Sequence, residues 1–319
     1  MTKLCLQIAG PDASIPLVTE ETGADLKDLP IGVFDSGIGG LTVVREIARL
    51  LPHESLIYFG DTQRCPYGPR SLKEVEGFAL EIARWLVQKR VKLIVIACNS
   101  ATAAGLEAVQ RSVKVPVIGV IEPGARAAAH STTARRVGVI GTVATIESGA
   151  YTQAIRSLDA GITVFSAATP RFVEIVEQGL RLGRGPLEDI MVEAAAIYIR
   201  PAFAQIARDY LKPLKHCRID SLVLGCTHYP LLIPLIASIM GPDVNIVSSA
   251  TETALDVEDT LRRRRQLAPA SARPHYSFAT TANIYNTFVN LGQAIFCHPF
   301  SDLEVVNLKQ LQKKARVSA

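Results

Sequence analysis

The sequence predicts an α/β protein of two pseudo-symmetric domains, each with a mostly parallel central sheet, and an active site in the cleft between them. Two apolar runs, 93–97 and 222–225, are typical of buried strands, and each leads into a cysteine, Cys98 or Cys226, that small polar residues follow. Ligands of parallel sheets bind beyond the carboxyl ends of the strands. The chain of 319 residues is about twice as long as a common domain, which also favours two domains.

The first part of the chain alternates predicted strands with loops rich in glycine and proline. Residues 1–29 show no sustained period and are expected to form an N-terminal extension. A strand over 31–34 leads through the turn Asp35–Gly40 into a helix, whose N-terminus offers N–H groups to an anion. A second strand, 55–59, precedes the loop 60–71, whose prolines and glycines indicate a rigid connection. Both connections are candidate binding loops.

The rest of the chain continues this alternation and repeats its beginning. The further elements predicted are helix 72–89, strand 115–120, strand 137–140, helix 171–177, a helical stretch 186–210 broken at Pro201, helix 231–240, strand 244–247, helix 251–264, strand 275–278 and helix 281–291. The strand and polar turn at 137–142 match those at 31–36 in architecture. We therefore expect a first domain of residues 30–122 and 240–319 and a second domain of residues 123–239.

The composition of the chain disfavours several classes of protein. The 34 basic and 30 acidic residues leave a net charge of +4, which is too balanced to indicate a nucleic-acid-binding protein. No apolar run is long enough for a membrane span, and the N-terminal apolar run is too short for a signal peptide. The six cysteines show no CxxC pair and no regular spacing, which predicts free thiols in a reducing compartment. We expect a cytoplasmic protein.

The two cysteines at the strand ends carry the chemistry that the sequence indicates. A free thiol has a pKa of about 8.5, and a helix N-terminus or a neighbouring basic group brings it toward neutrality. Cys98 precedes a predicted helix that begins with Asn99 and Ser100, and Cys226 lies two positions before His228. Two such thiols, one in each repeated half, favour an acid and a base on opposite faces of one carbon. That arrangement inverts a stereocentre and needs no metal or pyridoxal cofactor.

Other interpretations stay open at this point. A free cysteine is commonly a small buried residue of the core. A zinc site is a second possibility, because His216, Cys217, Cys226 and His228 lie close together in sequence, although their spacing matches no common zinc pattern. The run Arg262–Arg265 closes a predicted helix, where positive charge suits the helix dipole, and is expected to face solvent rather than nucleic acid.

Motifs along most of the chain resemble those of one family. They are, in order, IGVFDSGIGGLTV, GDTQRCPYGPRS, IACNSATA, VIEPGARAA, VGVIGTVATIESGAY, FVEIVEQG and LVLGCTHYPLL. From Ile31 to Thr253 the sequence resembles the glutamate racemases, the enzymes that supply D-glutamate for bacterial cell-wall peptidoglycan. The resemblance implies a homodimer that uses no cofactor and no metal.

The resemblance also implies roles for individual residues. Cys98 would deprotonate D-glutamate with the help of Asp35, and Cys226 would deprotonate L-glutamate with the help of His228. Glu177 matches an acid that the family places near that histidine. Asp35 and His228 also match substrate-contacting positions, and the others that do so are Ser36, Pro66, Tyr67, Gly68, Asn99, Ser100, Thr142, Thr145 and Thr227.

The resemblance leaves one alternative function open and implies further binding partners. Aspartate and hydantoin racemases share the two-cysteine pattern and are the near alternative. Some family members are activated by a UDP-linked muramyl-alanine precursor, and some bind DNA gyrase, for which Arg262–Arg265 is the only favourable feature. The sequence departs from the family at Ser100, where threonine is more common, at Cys65, where cysteine is unusual, and at Ser248-Ser249-Ala250, where Asp-Ser-Gly is usual.

Overall fold

The computed structural model describes residues 25–182, 200–282, 285–309 and 311–312. Most of the predicted N-terminal extension lies outside the described residues, as does the first part of the helical stretch predicted over 186–210. The described part of that stretch is a helix that begins at Pro201, where the sequence predicts a break.

Strands and helices alternate along the described chain. The strands are β1 (Ile31–Asp35), β2 (Leu56–Gly60), β3 (Leu93–Ile96), β4 (Val117–Gly119), β5 (Arg136–Gly141), β6 (Thr163–Ala168), β7 (Ser221–Gly225), β8 (Asn245–Ser248), β9 (Tyr276–Thr280) and β10 (Leu303–Val305). The α-helices are α1 (Leu41–Leu50), α2 (Leu72–Gln88), α3 (Asn99–Ser112), α4 (Ile121–Ser131), α5 (Val143–Glu147), α6 (Ala150–Leu158), α7 (Arg171–Leu182), α8 (Pro201–His216), α9 (Ile233–Met240), α10 (Ser249–Arg263) and α11 (Tyr285–Phe296). Short 3-10 helices cover Leu26–Asp28 and Tyr229–Leu232.

The strands form two parallel sheets, which confirms the predicted α/β fold class. One sheet has the order β10-β9-β2-β1-β3-β4 and the other has the order β6-β5-β7-β8. Every pairing between neighbouring strands is parallel. The strands β1, β3 and β7 are central and buried along their whole length, which explains their continuous apolar sequences. Cys98 and Cys226 therefore follow strands in the interior of two different sheets.

Three strands depart from the sequence expectations. β8 pairs with β7, so residues 245–248 belong to the four-stranded sheet, although the sequence placed residues 240–319 in the first domain. The chain returns to the six-stranded sheet after β8 rather than at residue 240, because β8, the first strand after Cys226, still pairs within the four-stranded sheet. β6 and β10 were not predicted; both are sheet-edge strands, and their residues are largely half-buried or exposed, without the apolar run of a central strand. The division into domains stays a prediction.

Two helices connect the two sheets. α4 runs from β4 of the six-stranded sheet to β5 of the other, and α10 runs back from β8 to β9. The two helices pack against each other, and an ion pair between Arg126 and Asp256 joins them. Among the described residues, no helix combines the length and the apolar character that crossing a bilayer requires.

A buried ion pair lies at the edge of the sheet opposite to the strand ends that carry the cysteines. Lys92, directly before β3, has a fully buried side chain whose Nζ lies 2.5 Å from Oε2 of Glu54. The same ammonium donates to the carbonyl oxygens of Lys27 at 2.8 Å and Gln266 at 2.9 Å. Glu54 in turn accepts a hydrogen bond from the backbone N–H of Ala268 at 2.7 Å. One charged pair thus ties together segments that are distant in sequence.

Replacing Lys92 by methionine should lower the free energy of unfolding by about 3–5 kcal/mol, because the Glu54 carboxylate loses its counter-charge while it stays buried. The double variant Lys92→Met/Glu54→Leu should recover a large part of the loss, since neither charge is then buried. Urea titration followed by circular dichroism measures both. Arg111→Gln, which breaks an exposed pair with Glu107, is the matched control and should cost less than about 1 kcal/mol. Equal losses in the single and double variants would contradict this interpretation.

Candidate active site

A narrow cavity lies where the carboxyl ends of the two sheets face each other. Both Cys98 and Cys226 line it, each coming from a different sheet. The complete lining is Asp35, Ser36, Cys65, Pro66, Tyr67, Gly68, Cys98, Asn99, Ser100, Thr142, Val173, Cys226, Thr227 and His228. The cavity measures about 30 Å³, which is room for about two water molecules.

Asp35 ends β1 with its side chain buried in the cavity wall. Its Oδ2 accepts hydrogen bonds from the backbone N–H groups of Gly40 at 2.8 Å and Gly37 at 3.4 Å. The turn predicted from the glycines therefore folds around this carboxylate. The second oxygen, Oδ1, is buried and has no hydrogen-bond partner in the described part of the chain. It is an acceptor left for a ligand or a neighbouring acid.

Cys98 occupies the position directly before α3, as the sequence predicts. Burial raises the pKa of the Cys98 thiol well above its ordinary value, and the charge of Asp35 raises it further. The backbone N–H of Ala101 and the hydroxyl of Ser36 act in the opposite direction but do not outweigh burial. Cys98 is therefore a protonated thiol at neutral pH and is able to donate a proton.

Cys226 has a basic neighbour instead of an acidic one. Its Sγ lies 3.9 Å from Nδ1 of His228, and Nε2 of that imidazole lies 3.6 Å from Oε1 of Glu177, an ion-pair distance. Burial alone would lower the pKa of His228, but the contacts with Cys226 and Glu177 outweigh it and raise this pKa to about 10. The contact with His228 lowers the pKa of Glu177 in turn. His228 is thus an imidazolium at neutral pH, a group that stabilises a neighbouring thiolate.

Three hydroxyl groups meet where the two sheets approach each other. Ser100 Oγ, at the start of α3, lies 2.9 Å from Thr142 Oγ1 and 3.3 Å from Thr145 Oγ1. The two threonine oxygens lie 3.0 Å apart around the first turn of α5. Because a hydroxyl both donates and accepts, this cluster is able to turn its hydrogens toward an anion.

The loop after β2 reaches across to the other half of the molecule. Its fixed point is Asp61, which is fully buried and accepts hydrogen bonds from Arg64 Nε at 2.6 Å and from the Tyr67 hydroxyl. These bonds hold Tyr67 in the cavity wall. The carbonyl oxygen of the next residue, Gly68, accepts a hydrogen bond from the N–H of Ala144 in α5 at 3.0 Å. Hydrogen bonds therefore anchor this loop at Asp61 and join its residue Gly68 to α5.

The structure brings together almost all of the residues that the sequence singles out. Only Thr145 and Glu177 stand behind the cavity wall, where they contact the hydroxyl cluster and His228. Two lining residues were not predicted as site residues, Cys65 and Val173. The position of Cys65 in the loop could have indicated it, whereas an apolar residue such as Val173 looks in sequence like any helix position. Burial, with the charges of Asp35 and Glu177, raises the pKa of Cys65 to about 12, so it is a neutral thiol.

The competing sequence features lie elsewhere. His216 and Cys217 lie at the end of α8 and do not line the cavity that holds Cys226 and His228. Among the described residues, no three histidine, cysteine or acidic side chains are grouped in a way that could hold a metal ion. In the arginine run, Arg262 and Arg263 form ion pairs with acidic residues one turn earlier on α10. These pairs agree with a solvated helix end.

Comparison with known proteins identifies relatives over most of the chain. The model of the Asp/Glu/Hydantoin racemase family matches residues 31–255. Glutamate racemase from Bacillus cereus is 42% identical over 280 residues, which cover 88% of this chain and 97% of the relative. The crystal structure of glutamate racemase isoform RacE1 from Bacillus anthracis superposes with a TM-score of 0.78 at 41% identity, covering 88% of this chain and 98% of that one.

A third similar protein was solved with ligands bound. It is the Escherichia coli glutamate racemase in complex with L-glutamate and the activator UDP-MurNAc-Ala, with a TM-score of 0.67 and 26% identity over 88% of this chain and 98% of that one. The matched region contains both sheets' central strands and all the cavity-lining residues. The chain therefore belongs to the Asp/Glu/Hydantoin racemase family, and within that family to the glutamate racemases.

Proposed function

We propose that this enzyme interconverts L- and D-glutamate by moving protons between the substrate Cα and two thiols. The observation that carries the proposal is that Cys98 and Cys226 line one cavity from opposite sheets. A planar carbanion formed between them would accept a proton from either face. Since each thiol can act as acid or base, the same pair serves both directions of the reaction.

The neighbours of each thiol define the order of proton transfer for L-glutamate. The Cys226 thiolate, paired with the His228 imidazolium, removes the Cα proton and becomes a thiol. The Cys98 thiol donates its proton to the opposite face of Cα and becomes a thiolate, which completes D-glutamate. The Cys226 thiol then loses its proton to solvent, which the charge of the His228 imidazolium favours. The Cys98 thiolate takes a proton from solvent, which the charge of Asp35 favours, and both sulfurs are back in their starting protonation states. Starting from D-glutamate, the sulfurs exchange roles.

The polar groups of the cavity support an amino acid with two carboxylates as the substrate. The hydroxyls of Ser100 and Thr142 and the unpartnered Nδ2 of Asn99 provide donors for carboxylates. Asp35 Oδ1 is an acceptor for the substrate ammonium. The cavity has room for about two water molecules, fewer than glutamate would displace, so we expect its walls to move apart when the substrate binds. The E. coli relative was solved with L-glutamate, which supports glutamate as the substrate over aspartate or a hydantoin. Racemisation rates measured with D-glutamate and D-aspartate side by side distinguish glutamate from aspartate as the substrate.

The wider role of the enzyme follows from the same proposal. D-glutamate made here would supply peptidoglycan synthesis. The E. coli relative was solved with UDP-MurNAc-Ala, which supports a muramyl-alanine-type activator for this chain as well. The homodimer, the contact with DNA gyrase and the cytoplasmic location stay predictions.

Replacing either cavity thiol by serine should reduce racemisation by about 10²–10⁴-fold, because a serine hydroxyl is far too weak an acid to replace a thiol. The remaining thiol should still exchange one enantiomer. In D₂O, Cys226→Ser should exchange the Cα hydrogen of D-glutamate through Cys98, and Cys98→Ser should exchange that of L-glutamate. NMR and chiral chromatography measure exchange and racemisation. Cys217→Ser, outside the cavity, is the matched control and should keep the wild-type rate. Normal racemisation by both cavity variants would rule the mechanism out.

Glu177→Gln should move the alkaline limb of the kcat/KM profile to lower pH. The Glu177 carboxylate stabilises the imidazolium of His228, whose pKa is about 10, so its loss lowers that pKa and the imidazolium deprotonates earlier as pH rises. We expect a shift of about one unit. Glu174→Gln, an exposed residue on the same helix, is the control and should not move the limb. An unchanged or higher limb in Glu177→Gln would show that Glu177 does not support His228.

A further inference from the structure

Tyr151 lies outside the cavity, but its hydroxyl reaches a residue that lines it. The side chain is 2% exposed, and its hydroxyl donates a hydrogen bond to Oδ1 of Asn99 at 2.7 Å. Asn99 directly follows Cys98 at the start of α3, next to the six-stranded sheet, whereas Tyr151 lies on α6, which follows β5 of the other sheet. The hydrogen bond therefore joins the two halves beside one of the thiols.

Only one of the two polar atoms of the Asn99 side-chain amide has a hydrogen-bond partner among the described residues. Its Oδ1 accepts from Tyr151, while Nδ2 is buried and has no hydrogen-bond partner among the described residues. The residue is 2% exposed and lines the cavity. A buried N–H group without a partner is unfavourable, because it has given up its hydrogen bonds to water. An acceptor on a bound ligand would remove that penalty.

The hydrogen bond to the phenol goes with one orientation of the Asn99 amide. Burial raises the pKa of Tyr151, so the phenol keeps its hydrogen at neutral pH and donates it to Oδ1 of Asn99. An amide turned by 180° would place Nδ2 against the phenol and a carbonyl oxygen toward the cavity. That oxygen would repel a substrate carboxylate.

The backbone at two glycines packs closely against the side chain of Tyr151 and holds it in place. A Cβ at Gly225, the last residue of β7, would lie 3.1 Å from Cε2 of the ring. A Cβ at Gly124 in α4 would lie 3.4 Å from the hydroxyl oxygen. The phenol thus sits against the backbone directly before Cys226 and against one of the two connecting helices. This packing restricts the phenol hydroxyl to hydrogen-bond partners close to its present position.

We propose that Tyr151 is a positioning residue that holds the Asn99 amide with Nδ2 toward the cavity, where it donates a hydrogen bond to a carboxylate of glutamate. This inference rests on the proposed function. It gives a role to the tyrosine that ends the motif GTVATIESGAY.

A double-mutant cycle tests this role. Tyr151→Phe should raise KM for both enantiomers about tenfold and change kcat less than about threefold, because a contact made equally in the bound and transition states affects KM. Asn99→Ala should raise KM at least as much. In the Asn99→Ala background, Tyr151→Phe should change KM less than about twofold, since the group that it orients is gone. Calorimetric Kd values for D-glutamate should follow KM.

A control variant and a stability measurement accompany the cycle. Tyr276→Phe makes the same chemical change on β9, away from the cavity, and should leave KM unchanged. Urea titration shows that each variant is folded under assay conditions.

The outcomes separate the inference from the function on which it depends. An unchanged KM in Tyr151→Phe, or an equal fold-change in both backgrounds, would overturn the positioning role, because a merely structural effect does not depend on Asn99. A wild-type protein that neither racemises nor binds glutamate would overturn the proposed function as well.

Discussion

The charge placed beside each buried thiol is the constraint on which the rest of the site depends. Burial disfavours any thiolate, so a thiol in this cavity ionises only where a cation compensates for the lost hydration. Asp35 is an anion beside Cys98 and adds to the effect of burial, whereas His228 is a cation beside Cys226. In the proposed mechanism, this difference makes Cys98 the acid and Cys226 the base toward L-glutamate. A reaction that removes a proton on one face and donates one on the other requires that difference.

The cavity exists because two sheets present the carboxyl ends of their strands to each other. Among the described residues, several hydrogen bonds cross between them at the wall of the cavity. Thr42 on α1 donates to the carbonyl oxygen of Thr227 at 2.9 Å. Ala144 donates to Gly68, Tyr151 donates to Asn99, and the Ser100 hydroxyl contacts the hydroxyls of Thr142 and Thr145. The groups that bind substrate in the proposal thus also keep the halves together. In the proposed reaction, separation of the halves for substrate exchange would break these bonds, while α4 and α10 would keep the sheets connected.

Much of this site could be predicted from the chain because its residues follow apolar strands. A parallel sheet brings strand ends together, so Cys98 and Cys226 were predicted in one site from their positions, and the family resemblance added Asp35 and Thr142. Tyr151 was not predicted, since nothing in the sequence around the first turn of α6 indicates that its hydroxyl contacts a residue 52 positions away. Edge strands such as β6 carry weak patterns, and the sheet to which β8 belongs depends on pairing that local sequence does not encode.

The distribution of deuterium at early conversion tests the two-thiol mechanism most directly. Wild-type enzyme is given L-glutamate in D₂O and stopped after a few per cent of turnover, and both enantiomers are analysed for deuterium at Cα. If different sulfurs remove and deliver the proton, the D-glutamate formed carries deuterium and the remaining L-glutamate carries almost none. Equal labelling of both enantiomers, or D-glutamate that keeps the original hydrogen, would mean that a single group serves both faces and would contradict the mechanism.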